Sequence, residues 1–97
     1  MRVISRKALR EFWQRHADAE APLRAWFKEA ETASWETPAD VKLRYASASF
    51  LAGDRVVFNI KGNRYRLVVA VRYDLKIVFI RFVGTHPEYD RIDPLNV

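Results

Sequence analysis

Three β-prone runs crowd the second half of the chain with little between them: Val56 to Ile60, Tyr65 to Tyr73, and Ile77 to Val83. Their β-branched and aromatic side chains suit a pleated, half-buried surface. The links Lys61-Gly62-Asn63 and Asp74-Leu75-Lys76 have the length that joins antiparallel neighbours, so a meander is the simplest topology.

Side chains alternate across a strand. In the middle run, Tyr65, Leu67, Val69, Val71 and Tyr73 share one apolar face, and Arg64, Arg66, Val68, Ala70 and Arg72 share the other. The apolar face needs cover, and the first half of the chain supplies it. After a short β-prone Arg2 to Ile4, Ser5 is placed to cap a helix carrying Ala8, Leu9, Phe12 and Trp13 at helical spacing. Asp18 is placed to cap a second helix carrying Leu23, Trp26, Phe27 and Ala30, with Pro22 in its first turn. Thr37-Pro38-Ala39-Asp40 reads as the start of a third, short helix ending near Arg44, with Asp40 reaching back to the cap. Ser47-Ala48-Ser49 is the most flexible-looking stretch, and Gly53-Asp54 marks a turn. Beyond the last strand, a Gly84-Thr85 break leads to Pro87 at the start of a final helical turn, and the tail after Asp93-Pro94 is expected to be loose. The expected fold is therefore α+β: an antiparallel meander covered on one face by N-terminal helices, with Arg66 and Arg72 turned away from the core. Ninety-seven residues suit one domain spanning 1–97 rather than two independent cores.

Composition narrows the chemistry. With no cysteine, disulfides, thiolate nucleophiles and sulfur-built zinc sites are excluded. The basic start has no signal-length apolar stretch after it and nothing approaches a membrane span, so the cytoplasm is the expected location and no membrane partner is expected. A net charge of +5 and a pI near 9.9 suit an acidic partner such as nucleic acid. No phosphate-binding glycine loop, metal-binding carboxylate pair, His-Glu-x-x-His helix or Gly-x-Ser-x-Gly turn occurs, so neither a metal nor a cofactor is expected. RNA cleavage by the neighbouring 2′-hydroxyl remains compatible, because it needs positioning, proton transfer and cations.

His86, at a strand end, can give or take a proton near neutral pH, although a lone histidine also serves structural roles. Tyr89, one helical turn later, can stack on a base or pack over the sheet edge. Alternation puts Arg81 with Ile77, Phe79 and Val83, opposite Val78, Ile80 and Phe82; it needs a phosphate, an acidic partner or a path to solvent. His16, near a helix end, is expected only to favour that terminus electrostatically.

The segments Phe58 to Leu67, Val71 to Asp74 and Ile80 to Asp90 resemble the HigB toxin family, across about residues 54–93. The resemblance implies a RelE-like fold and an endoribonuclease, an mRNA interferase that cuts messages on the translating ribosome until a HigA-type helix-turn-helix antitoxin neutralises it. It implies Lys61, Arg66, His86 and Tyr89 as the catalytic group, beside which Asn63, Arg64, Arg72 and Arg81 are expected to bind RNA. In that scheme Lys61, Arg64 and Arg66 hold the scissile phosphate, and His86 and Tyr89 handle protons or orient the nucleotide. The sequence differs from RelE itself in carrying Asn59 where a second lysine is usual, and a histidine, His86, near the place of an arginine. Two rival readings use the same basic face: a non-catalytic inhibitor docked on RNA or the ribosome, and a co-repressor subunit acting only with its antitoxin.

Overall fold

The computed structural model describes residues 1–97. In chain order the elements are β1 (Arg2–Ile4), α1 (Arg6–Arg15), α2 (Glu20–Thr32), α3 (Pro38–Arg44), β2 (Ser49–Leu51), β3 (Arg55–Ile60), β4 (Tyr65–Arg72), β5 (Ile77–Thr85) and α4 (His86–Tyr89). The three strong runs form the antiparallel meander β3-β4-β5. Two short strands extend it to a mixed five-stranded sheet ordered β1-β5-β4-β3-β2, in which β1 runs parallel to β5 with Val3 opposite Val78. The helices follow β1, and the chain re-enters the sheet at its opposite edge through β2.

The apolar face of β4 is buried beneath the helices as its alternation requires. Leu67, Val69 and Val71 join Leu9, Phe12, Leu23, Trp26 and Val41 in one cluster of 19 buried residues. Aromatic edges set its packing: Trp26 meets the Phe58 ring at 5.4 Å, and Phe12 meets Tyr65 at 5.2 Å. The α3 start follows its signal, with Asp40 accepting the backbone N–H groups of Glu36 and Thr37.

Three local expectations are corrected. Asp18 does not cap α2; it sits in a 3₁₀ turn, Ala17–Ala19, and turns its carboxylate toward β4. Ser47-Ala48-Ser49 is not a flexible link, since Ala48 is buried, its carbonyl accepts the Lys42 ammonium, and Ser49 begins β2. Gly84-Thr85 does not interrupt β5, which runs through Thr85. The tail turns at Asp93, and its Leu95 carbonyl lies 3.4 Å from the Arg55 guanidinium.

The alternation expected for β5 is also broken. Val68 faces Phe82 while Val69 faces Ile80, so Arg81 is the extra residue of a β-bulge. The bulge swaps the later positions: Val83, opposite Leu67, packs on the core with Ile80, and Phe82 lies across from Val68 on the far face. Arg81 escapes the apolar surroundings its position suggested, for it is exposed with its guanidinium over the Phe79 ring at 5.5 Å.

Candidate active site

The expected residues converge on one end of the sheet, where the β3–β4 turn meets the β5–α4 junction. Lys61 and Gly62 both take left-handed backbone angles, φ 52° and 63°, which tighten the turn; such a value is unstrained for glycine but uncommon for lysine. Arg66 braces this turn from below. It is only 8% exposed, donating Nη1 to the Asn63 carbonyl at 3.0 Å and Nη2 to the Asn63 side-chain oxygen at 2.9 Å. Its guanidinium also lies 5.9 Å from the centre of the Tyr89 ring.

Arg66 is thus not the freely exposed arginine that strand alternation implied. It does face away from the helices, but α4 packs against β4 and β5 there, and Val57 and Val68 on the same face are buried as well. Three of its five N–H donations go to Asn63 and the Tyr65 carbonyl, which makes it a brace as much as a ligand.

Local sequence explains where His86 sits. Thr85 caps α4: its hydroxyl accepts the Glu88 N–H and its own N–H donates to the Glu88 carboxylate at 2.8 Å, with Pro87 in the first turn. Those bonds, first the Thr85 backbone N–H and then its hydroxyl, hold the Glu88 carboxyl below the usual range, helped by the charges of His16 and Arg15. Gly84 permits the close approach, because a Cβ there would meet the Phe82 ring at 2.5 Å and the Glu88 Cβ at 3.3 Å. The His86 N–H then donates to the Arg64 carbonyl at 3.0 Å, fastening α4 to the start of β4. The imidazole is about half exposed, with Nδ1 3.5 Å from the Asp90 carboxylate.

Asp18 and Tyr65 were not among the expected site residues, yet they organise the cations. Asp18 pairs with the Lys61 ammonium at 3.2 Å and the Arg64 guanidinium at 3.0 Å, and accepts the Tyr65 hydroxyl. That hydroxyl bond is the main reason the Asp18 carboxyl lies below its ordinary range, with Lys61 and Arg64 adding to it, and the same bond pushes the Tyr65 hydroxyl up. No local signal pairs residues 46 and 47 positions apart; Asp18 looks like a helix cap and Tyr65 like one more residue of the apolar face. His16 does more than favour a helix terminus, since its ring stacks on Phe12 at 4.5 Å and lies 5.5 Å from Tyr65.

Arg72 and Arg81 stand apart. Arg72 ends β4 six residues beyond Arg66, about 20 Å along the strand, and is exposed in a pair with Asp74. The site is a shaped surface rather than a deep cleft: the two cavities, about 300 and 330 Å³, are lined by residues of the α2 and α3 region and of α1 with α2, and neither touches the turn or α4. Nowhere do three His, Asp or Glu side chains gather as metal ligands would. No helix is long and apolar enough to cross a membrane.

Comparison with known proteins identifies the family. The chain is 28% identical to a protein of Escherichia coli strain K12 named mRNA interferase toxin HigB, across 93% of this chain and 88% of that one. The same figures hold for the mRNA interferase HigB of Shigella flexneri. Residues 19–92 match the model of the HigB toxins, described as the RelE-like toxic component of a toxin-antitoxin system. With a match over most of its length and the α+β architecture to go with it, the chain belongs to the HigB toxin family.

Proposed function

We propose that the chain is an mRNA interferase, acting as one RelE-like toxin domain over residues 1–97, in the cytoplasm, on messages held by the ribosome. The activity named for its relatives in Escherichia coli and Shigella flexneri supports this reading. Within this chain it is carried by the 3.0 Å bond from His86 N–H to the Arg64 carbonyl, which sets a proton-transfer group beside a cationic turn.

In the proposed reaction, Lys61 and Arg64 hold the scissile phosphate and Arg66 braces the turn through Asn63. With Nδ1 facing Asp90, His86 has Nε2 left to take the proton of the 2′-hydroxyl. The 2′-oxygen bonds to phosphorus, the bond to the 5′-oxygen breaks, and that oxygen takes a proton from solvent, leaving a 2′,3′-cyclic phosphate and a 5′-hydroxyl. Tyr89, packed beneath Arg66, orients the nucleotide, and Arg72 and Arg81 extend the basic surface along the strand. A HigA-type helix-turn-helix antitoxin is the proposed neutralising partner within the toxin-antitoxin system.

Expression of the chain without antitoxin, with end analysis of messages recovered from purified ribosomes, tests this. Growth arrest with new cyclic-phosphate ends is expected. Arrest with intact messages would replace the nuclease by a blocking inhibitor, and harmless accumulation of folded protein by a co-repressor subunit.

A further inference from the structure

We propose that Asp18 is a positioning residue for the RNA backbone: its carboxylate holds the Lys61 ammonium and the Arg64 guanidinium side by side as a preformed phosphate cradle. The proposal rests on the nuclease reading above for its biological substrate, and on the following geometry for its substance.

Lys61 and Arg64 are long, exposed side chains at either end of the turn between β3 and β4, and nothing within the turn fixes where their charges lie. Asp18 gives both a common point, at 3.2 and 3.0 Å. The carboxylate is itself anchored, because it accepts the hydroxyl of Tyr65, which is 6% exposed and wedged edge-on against Phe12 at 5.2 Å. Asp18 therefore has an anchor of its own, independent of the two cations. Lysine has three N–H donors and arginine five, so one bond each to Asp18 leaves both with donors for phosphate oxygens. Two cations against one carboxylate keep the corner net positive. Exposed ion pairs add little to folding stability, so the main consequence of this pairing is where the charges are held.

The test compares wild type with Asp18→Asn and Asp18→Glu in message cleavage on purified ribosomes, and in equilibrium binding of a labelled single-stranded RNA oligonucleotide. Freeing two side chains that hold the scissile phosphate predicts a rise in RNA Kd of about tenfold in Asp18→Asn and a fall in kcat/KM at least as large. Asp18→Glu should recover part of the loss. In a Lys61→Gln/Arg64→Gln background, Asp18→Asn should add nothing further. An unchanged kcat/KM and Kd in folded Asp18→Asn, or an undiminished effect in the doubly substituted background, would overturn the proposal. Should Asp18→Asn fail to fold, side-chain nitrogen order parameters of the wild type decide: Lys61 and Arg64 should be more ordered than exposed Arg10, and equal mobility would overturn it. A wild type that leaves RNA intact sinks the nuclease reading alone, since oligonucleotide binding still judges the role of Asp18.

Discussion

Arg66 and Asn63 are joined twice, guanidinium to main-chain carbonyl at 3.0 Å and guanidinium to side-chain amide oxygen at 2.9 Å. Through this pair a buried strand arginine holds the turn that carries Lys61. Arg66→Met keeps the length of the side chain and removes its donors, leaving both Asn63 oxygens to water or to nothing. A loss of about 1–3 kcal/mol in unfolding free energy is expected, together with reduced message cleavage. Urea unfolding and cleavage assays on the same preparation check both, and unchanged stability would mean that the brace is dispensable.

His86 separates chemistry from folding. Its imidazole is 46% exposed and its structural bond is made by the main chain, which alanine retains. His86→Ala should therefore lower kcat by about a hundredfold to ten-thousandfold while moving stability by no more than about 0.5 kcal/mol. Single-turnover cleavage beside thermal unfolding reads the two effects, and full activity would remove His86 from the reaction.

The acid limb of stability should carry the signature of Asp18. Its carboxyl titrates below the ordinary 3.8 in the folded protein, chiefly through the Tyr65 hydroxyl, so the unfolded chain takes up the proton first as pH falls. Its contribution is present above that ordinary value and is lost as pH drops through the lowered folded value. The stability gap between wild type and Asp18→Asn should be constant near neutrality and close below about pH 4. The alkaline limb has the opposite sign for Tyr65: its raised hydroxyl stabilises below the ordinary 10.0 and loses that effect as pH climbs through the folded value. Urea midpoints across pH for wild type, Asp18→Asn and Tyr65→Phe measure both.

Gly84 is held by space rather than by backbone freedom. Gly84→Ala would push a methyl to 2.5 Å from the Phe82 ring and against Glu88, lifting α4 from β5. A cost of about 1–3 kcal/mol is expected, with a fall in cleavage because His86 rides on α4. Thermal unfolding that matches wild type would show that Phe82 swings aside freely.

Arg72 should affect binding without chemistry. Far along β4 and paired only with Asp74, it can meet the RNA backbone but not the scissile bond. Arg72→Ala should weaken RNA binding a few fold and lower the salt-dependence slope by about one, leaving kcat unchanged. A kcat loss as large as that of His86→Ala would place the reaction elsewhere on the sheet.

Much of the architecture could be read locally. The period-two apolar face of β4, the helical stripes through Phe12 and Trp26, and the Pro87 start of α4 are short-range patterns, and packing merely satisfied them. The candidate site was readable in part. Lys61, Arg64, His86 and Tyr89 stand out as residues at turns and strand ends, but their mutual placement depends on Asn63, Thr85 and Gly84, whose roles appear only when β4 and β5 lie in register.

Sequence alone determined the α+β class, the meander and which β4 face meets the helices, because hydrophobic periodicity and short connections leave few alternatives for residues close along the chain. Only the tertiary structure decided that β1 joins β5 in parallel, that Arg81 is expelled at a bulge, that Arg66 is buried as a brace, and that Asp18 gathers Lys61 and Arg64. The β1–β5 pairing and the gathering by Asp18 are contacts between distant segments, and the bulge and the burial of Arg66 follow from how β5 and α4 lie against β4. A carboxylate at a helix start carries no mark of the cation it will meet 43 or 46 residues later.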